Sequence, residues 1–145
     1  ERIKSRAKLG FAVKDIIDNM PGAFIVYRAD KENDEILLAN NELLRLTGCK
    51  NMDELLAYTG KSFRNLIRRD EQESCQKSIW SQIDGGNVND YSFFHMRKAD
   101  GTYISVLDHG RIVDSVRNGR VFYVMIMDLN ALQRHYGDCL ELVEK

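Results

Sequence analysis

Apolar positions along the first half of the chain follow two periods in turn. Residues 1 to about 18 place Ile3, Ala7, Phe11, Ile16 and Ile17 near one side of an amphipathic helix, which Pro21-Gly22 ends. "AFIVYRA" then reads as a β-branched and aromatic strand, "DKENDE" as a polar turn, and "ILLA" (Ile36 to Ala39) as a half-buried strand. Asn40 or Asn41 can accept from the free N–H groups of a helix start. Leu43, Leu44 and Leu46 give that helix an apolar face, and Gly48 stands where a left-handed C-terminal residue is needed. Asn51 to Glu54 has capping-box spacing ahead of "MDELLAY". "GKSFRNLIRRD" reads as a loop with one helical turn. Asp70 to Glu73 repeats the capping-box spacing and opens a longer helix, with the stripe Cys75, Ile79 and Ile83, that stops at Gly85-Gly86.

After Gly86 the period changes. "DYSFFHMRKADGTYISVLDHGRIVD" predicts two strands around an Asp100-Gly101 turn, and "VRNGRVFYVMIMDLN" adds a turn and a last strand. "ALQRHYGDCLELVEK" returns to helix. The order predicts an α+β domain: a five-stranded antiparallel sheet, short helices on one face, and helical N- and C-terminal extensions. The last strand is apolar at odd and even positions alike. Both its faces are expected to be covered, one by the internal helices and the other by the terminal helix or a second subunit.

Composition narrows the class. The 145 residues are 43% apolar with a net charge of −1, enough for one domain with a real core and without the basic footprint of nucleic-acid binding. No apolar run approaches the ~20 residues of a membrane span, and the N-terminal segment lacks the apolar core of a secretory signal. Cys49, Cys75 and Cys139 have no C-x-x-C spacing, which fits a reduced, cytoplasmic setting. The chain begins and ends in helix-like sequence, as a piece of a longer protein would.

The segments "ILLANNELLRLTG", "GKSFRNLIRRDE", "MRKADGTYISV" and "VMIMDLN", in that order, resemble a PAS sensory domain over roughly residues 20 to 130. Residues 1–19 then form an N-terminal helix, and 131–145 begin a connector to an effector domain on the same chain. "MPGAFIVYRAD", "LTGKSFRNLIRRDE" and "DYSFFHMRKADG" resemble the PAS modules that precede GGDEF diguanylate cyclase or EAL phosphodiesterase domains in anaerobic bacteria. Asn41 stands where the family often has proline and Asn130 where it often has Thr or Ser; asparagine can cap or begin a helix at either place. The resemblance implies a cavity faced by Ile25, Tyr27, Phe94, Met96, Ile104, Val106, Val124 and Ile126 from the strands. Phe63, Ile67 and Ile79 join them from the helical side. Tyr27, Arg64 and Gln76 are the polar groups expected to meet a ligand. Large side chains at Tyr27, Phe63, Phe94 and Met96 favour a filled core, so the presence of a small-molecule ligand stays open. Asp128 matches the acidic residue that ties the last strand to the outgoing helix, and is the expected signal-transfer position. A solvated carboxylate at a helix N-terminus is the plainer alternative.

Cofactor and catalytic chemistry find little footing. Flavin photochemistry in PAS relatives needs the cysteine of an Asn-Cys-Arg-Phe-Leu-Gln motif. The matching segment is Ser62 to Ile67, with Phe63 at the cysteine position and Ile67 at the glutamine position. Cys75 reads as a small core hydrophobe. Haem in relatives hangs on a histidine of the helical wall, and residues 36–94 contain none. A three-residue hairpin loop would set His95 and His109 diagonally on one face, a poor basis for a metal pair; His135 lies on the outgoing helix. Neither flavin, haem nor metal is expected. There is no nucleophile elbow, phosphate loop or H-E-x-x-H. The expectation is a non-catalytic, cytoplasmic module that regulates an attached effector and forms a homodimer through Phe11, Ile16, Ile17, Tyr123, Met125 and Met127. The alternatives are a PAS domain of a sensor histidine kinase and a ligand-free interaction module.

Overall fold

In the computed structural model, which describes residues 10–144, five strands form one antiparallel sheet. They are β1 (Ala23–Arg28), β2 (Ile36–Ala39), β3 (Asn89–Arg97), β4 (Tyr103–Ser115) and β5 (Gly119–Asp128), in the order β2-β1-β5-β4-β3. The helices are α1 (Val13–Asp18), α2 (Asn41–Thr47), α3 (Met52–Thr59), α4 (Gln72–Asp84) and α5 (Leu129–Glu144), with 3-10 turns at Phe63–Leu66 and Arg69–Glu71. This is the α+β arrangement that the periodicities predict. What they do not predict is that the first and last strands are central neighbours, paired from Ala23↔Ile126 to Arg28↔Val121.

One face of the sheet buries Ile25, Tyr27, Phe94, Met96, Val106, Phe122, Val124 and Ile126 against Leu43, Leu55, Phe63, Leu66, Ile67 and Ile79. The stripe Cys75, Ile79 and Ile83 lays α4 onto β3. Asn40 makes the corner between sheet and helices. Its Oδ1 accepts from Phe24 N (2.9 Å) and Leu43 N (3.0 Å), and its Nδ2 donates to Ile17 O (3.0 Å) and Gly22 O (2.9 Å). The strand ends there because one buried amide joins β1, α1 and the N-terminus of α2. Gly48 closes α2 at φ +79°, as its position predicts.

Four expectations are corrected. Asp70 does not cap α4. It pairs with Arg68 at 2.7 Å, and a 3-10 turn runs directly into the helix without a side-chain cap. Glu71 instead turns to His95, accepting from its backbone N (2.8 Å) and meeting its Nδ1 (2.7 Å). At the other capping box Asn51 does accept from Glu54 N, but Glu54 reaches past it to Lys50 N at 2.8 Å. The N-terminal helix spans only Val13–Asp18 among the described residues; Phe11 precedes it, and Ile3 and Ala7 lie outside them. His95 pairs with Ser105 and His109 with Tyr91, so the two imidazoles share a face but sit four residues, about 13 Å, apart along the strands.

Candidate functional site

The predicted pocket residues do converge, but as a packed interior. Tyr27 stacks on Phe63 with centroids 3.9 Å apart, Phe63 meets Phe94 edge-on at 6.3 Å, and Phe122 lies between Tyr27 (5.1 Å) and Trp80 (5.5 Å). The edge-on and tilted pairs, at 5.1–6.3 Å, lie in the range where aromatic rings attract beyond their buried area. Ile25, Ile67, Ile79, Met96, Val106, Val124 and Ile126 are buried around them, and Ile104 packs partly buried at the edge. Phe63, at the position a flavin-reactive cysteine would occupy, is thus a central core residue. Cys75 is buried on the inner side of α4, and burial pushes its thiol up to about 11, which keeps it protonated and unreactive.

Of the polar groups expected at a ligand, Arg64 is placed elsewhere. Its Nε donates to Asp34 at 3.1 Å and its guanidinium reaches Lys31 O at 2.8 Å, at the periphery. The attraction is Asp34, a buried carboxylate that also accepts from Arg64 N and from the Ser62 hydroxyl, pinning the β1–β2 turn to the helical wall. Gln76 is half-buried on α4, with an Nε2 that is sequestered and unpaired.

Two further acids went unread in the sequence. Asp90 and Asp108 are 1% and 2% exposed on the inner face of β3 and β4. Ser92 pairs across the ladder with Asp108, and Asp90 with Gly110, so the two carboxylates are diagonal neighbours. Asp90 Oδ1 and both oxygens of Asp108 have no hydrogen-bond partner among the described residues. Burial lifts Asp90 to about 6. Burial first, then the charge of Asp90, raises Asp108 well above the carboxylate range. Tyr27 is raised too, by burial and then by these two acids. A signal was present. Phe94, Met96 and Val106 face inward, and strand alternation carries the same face to Asp90, Ser92 and Asp108. Gly110 was a second signal, since a glycine inside a strand marks a close approach. A Cβ there would lie 2.5 Å from Asp90 Oδ1.

The C-terminal end of β5, two residues beyond the Asp108↔Ile126 rung, carries the exit from the domain. Asp128 Oδ1 accepts from Asn130 N (2.9 Å) and Ala131 N (3.3 Å), capping α5. It makes no ion pair among the described residues; the nearby Arg45 is held by Glu42. A cleft of about 220 Å³ separates Ala131, Leu132, His135 and Tyr136 from Pro21, Gly22 and Arg45. The segment that leads from α1 into β1 and the start of α5 therefore lie beside one rung of the sheet, Ala23↔Ile126.

The sheet's outer face is left open by the described helices. Phe93 (51%), Tyr91 (60%), Tyr123 (45%) and Met127 (39%) are exposed there, and Phe11 (65%) and Ile16 (52%) at the N-terminus. Met125 and Ile17 are half-buried. Among the described residues no group of three or more His, Cys, Asp or Glu side chains is placed to hold a metal ion, and no helix is long and apolar enough to cross a membrane.

The family described as PAS fold matches residues 36–127. No curated protein matches the chain by sequence. Among solved structures, an RNA-binding light-oxygen-voltage receptor superposes on 100% of this chain and 40% of its own, with a TM-score of 0.71 and 17% identity. A PAS domain from a two-component sensor histidine kinase covers 86% of this chain and 99% of its own (TM-score 0.63, 17% identity). The PAS domain of a LuxR-family transcriptional regulator from Burkholderia thailandensis, in complex with ethanol, covers 83% and 99% (TM-score 0.63, 20% identity). At these identities the likeness is one of fold. The matched segment begins at β2 and closes with the last apolar residue of β5, so that strand order, helical wall and family match coincide: the chain belongs to the PAS fold family.

Proposed function

We propose that this chain is a non-catalytic sensory and dimerisation module of a bacterial signalling protein, acting in the cytoplasm on an effector domain of the same polypeptide. The observation that carries the reading is that the segment entering β1 and the start of α5 face each other across one cleft, beside one rung of the sheet. Ile126 is a core residue two positions from the cap of α5, and Asn40 bonds the end of α1. A shift in the core would tilt both helices together, a two-state element whose populations a ligand or partner can bias. The exposed sheet face and the Phe11–Ile17 segment support self-association. The sequence resemblance favours a diguanylate cyclase or cyclic-di-GMP phosphodiesterase as effector. The fold likenesses, to a kinase's PAS domain and a transcriptional regulator's, fit the alternative outputs as well.

A ligand-free interaction module is the second reading, favoured by the ring-on-ring filling of the core. The test for signalling is Asp128→Ala. Losing a cap costs about 1 kcal/mol, enough to move a balanced output several-fold while the domain stays folded. Effector turnover in the full-length protein is measured beside the domain's melting temperature. Unchanged turnover in a folded protein would refute the signal-transfer role. For dimerisation, sedimentation of residues 1–145 should show a dimer that Tyr123→Glu with Met127→Glu dissociates, and a monomer at high micromolar concentration would refute it.

A further inference from the structure

We propose that Asp90 and Asp108 form the recognition site for a small organic cation, a primary ammonium carrying a hydrogen-bond acceptor beside it. Buried polar groups in folded proteins are nearly always paired, so each exception asks for a partner. Here three carboxyl oxygens, Asp90 Oδ1 and Asp108 Oδ1 and Oδ2, are buried and unpaired on adjacent strands. A primary ammonium has three N–H donors and no acceptor. The donors match the oxygens in number, and neither acid is in an ion pair with any described residue, so the single positive charge balances one of the two carboxylates. Water could fill the acceptors but would leave two adjacent buried acids without a counter-charge, and that burial raises both pKa values. A monovalent cation balances one carboxylate and can donate to both.

The surroundings are shaped for this. Gly110 leaves out the side chain that would collide with Asp90 and so admits the carboxylate to the interior. Tyr27 lies within electrostatic reach of both acids. Ser92 stands directly across the ladder from Asp108, its hydroxyl 3.7 Å from Cys75 Sγ. On α4, which packs over β3, Gln76 Nε2 is a buried donor with no acceptor. An ammonium alone would leave it unpaired; a hydroxyl or carbonyl next to the ammonium would not. The packed aromatic core limits the guest to a few heavy atoms, the size of an amino alcohol.

Such a site would be the input of the sensory module proposed above, and rests on that reading only for its consequence. Binding is therefore read on residues 1–145 without an effector. A domain that ignores amines can still pass on a signal through Asp128, and one that binds them can fail to. The probe is ethanolamine at neutral pH, with ethylene glycol and tetramethylammonium chloride as controls at matched concentration and ionic strength. Ethanolamine should raise Tm by several degrees near saturation, as any ligand of the native state does, and should move the amide resonances of residues 89–92 and 106–110. Ethylene glycol lacks the charge and tetramethylammonium the donors, so neither should act. Asp108→Asn should raise the Tm of the free domain and abolish the ethanolamine response. Gly110→Ala, which displaces Asp90 without removing either acid, should weaken that response at least tenfold, and serves if Asp108→Asn does not fold. No response to ethanolamine would overturn the assignment, as would an equal response to tetramethylammonium, to ethylene glycol or to calcium chloride, or a response that survives both substitutions.

Discussion

Replacing Asn40 with alanine removes one fully buried side chain and four hydrogen bonds together. Phe24 N and Leu43 N lose their acceptor, and the carbonyls of Ile17 and Gly22 lose their donor. A typical intramolecular hydrogen bond is worth roughly 1 kcal/mol net, and a buried group left unpaired costs more than that. The cap at Leu43 alone is worth about 1 kcal/mol. Water can reach the Ile17 end, beside the exposed α1, more readily than the Leu43 end, so the four do not count equally. The sum is a destabilisation of about 3–4 kcal/mol, a large part of the ~5–15 kcal/mol that holds a domain together. Urea unfolding at neutral pH measures it, with an unchanged m-value showing that the native state kept its extent. Asn40→Asp retains both acceptor bonds and loses both donor bonds. It should therefore release α1 while keeping the α2 cap, seen as faster amide exchange in residues 13–18 than in 41–47. A loss below ~1 kcal/mol in Asn40→Ala would refute the view that this side chain holds the corner.

Two other outcomes follow from the core. Asp90, lifted by burial to about 6 from an ordinary 3.8, binds its proton more tightly folded than unfolded. Its contribution is therefore present in full below about pH 4 and lost as pH rises through about 6, a decline of order 2–3 kcal/mol to which Asp108 adds in the same sense. Glu71 is opposite: burial disfavours its charge, but hydrogen bonds from His95 overcome this and hold it below its usual range, so its contribution is lost only as pH falls under about 4.5. Urea titrations from pH 4 to 8 on the free domain should show stability falling from about pH 4 to 6, and Asp90→Asn should make that fall shallower; a flat or rising wild-type curve would contradict it. Phe63→Ala removes the ring stacked between Tyr27 and Phe94 and should cost about 3–5 kcal/mol while leaving a cavity. Part of the loss should return on adding a small apolar aromatic, read as a Tm rise absent in wild type.

Local information decided much of this protein. Strand and helix periods depend on residues a few positions apart, and caps on three or four, so β2, the Gly48 terminus of α2 and the Cys75–Ile79–Ile83 stripe were all legible. The inward set from Ile25 to Ile126 came from the family resemblance, since alternation alone does not say which face is inner and the last strand is apolar on both. Tertiary structure decided the rest wherever a side chain had two partners to choose from. Asp70 has ideal spacing for a cap, yet Arg68 lies closer; Arg64 was expected inside, yet the buried Asp34, 30 residues away in sequence, draws it out. Asn40 looked like a helix cap and is also the knot between α1 and β1. Asp90 and Asp108 occupy inward positions that alternation alone would assign to apolar residues. Only the pairing of β3 with β4 sets them side by side, across from a glycine that makes room. Periodicity says which way a residue faces; what it faces depends on contacts between segments far apart in the chain, and no local pattern encodes those.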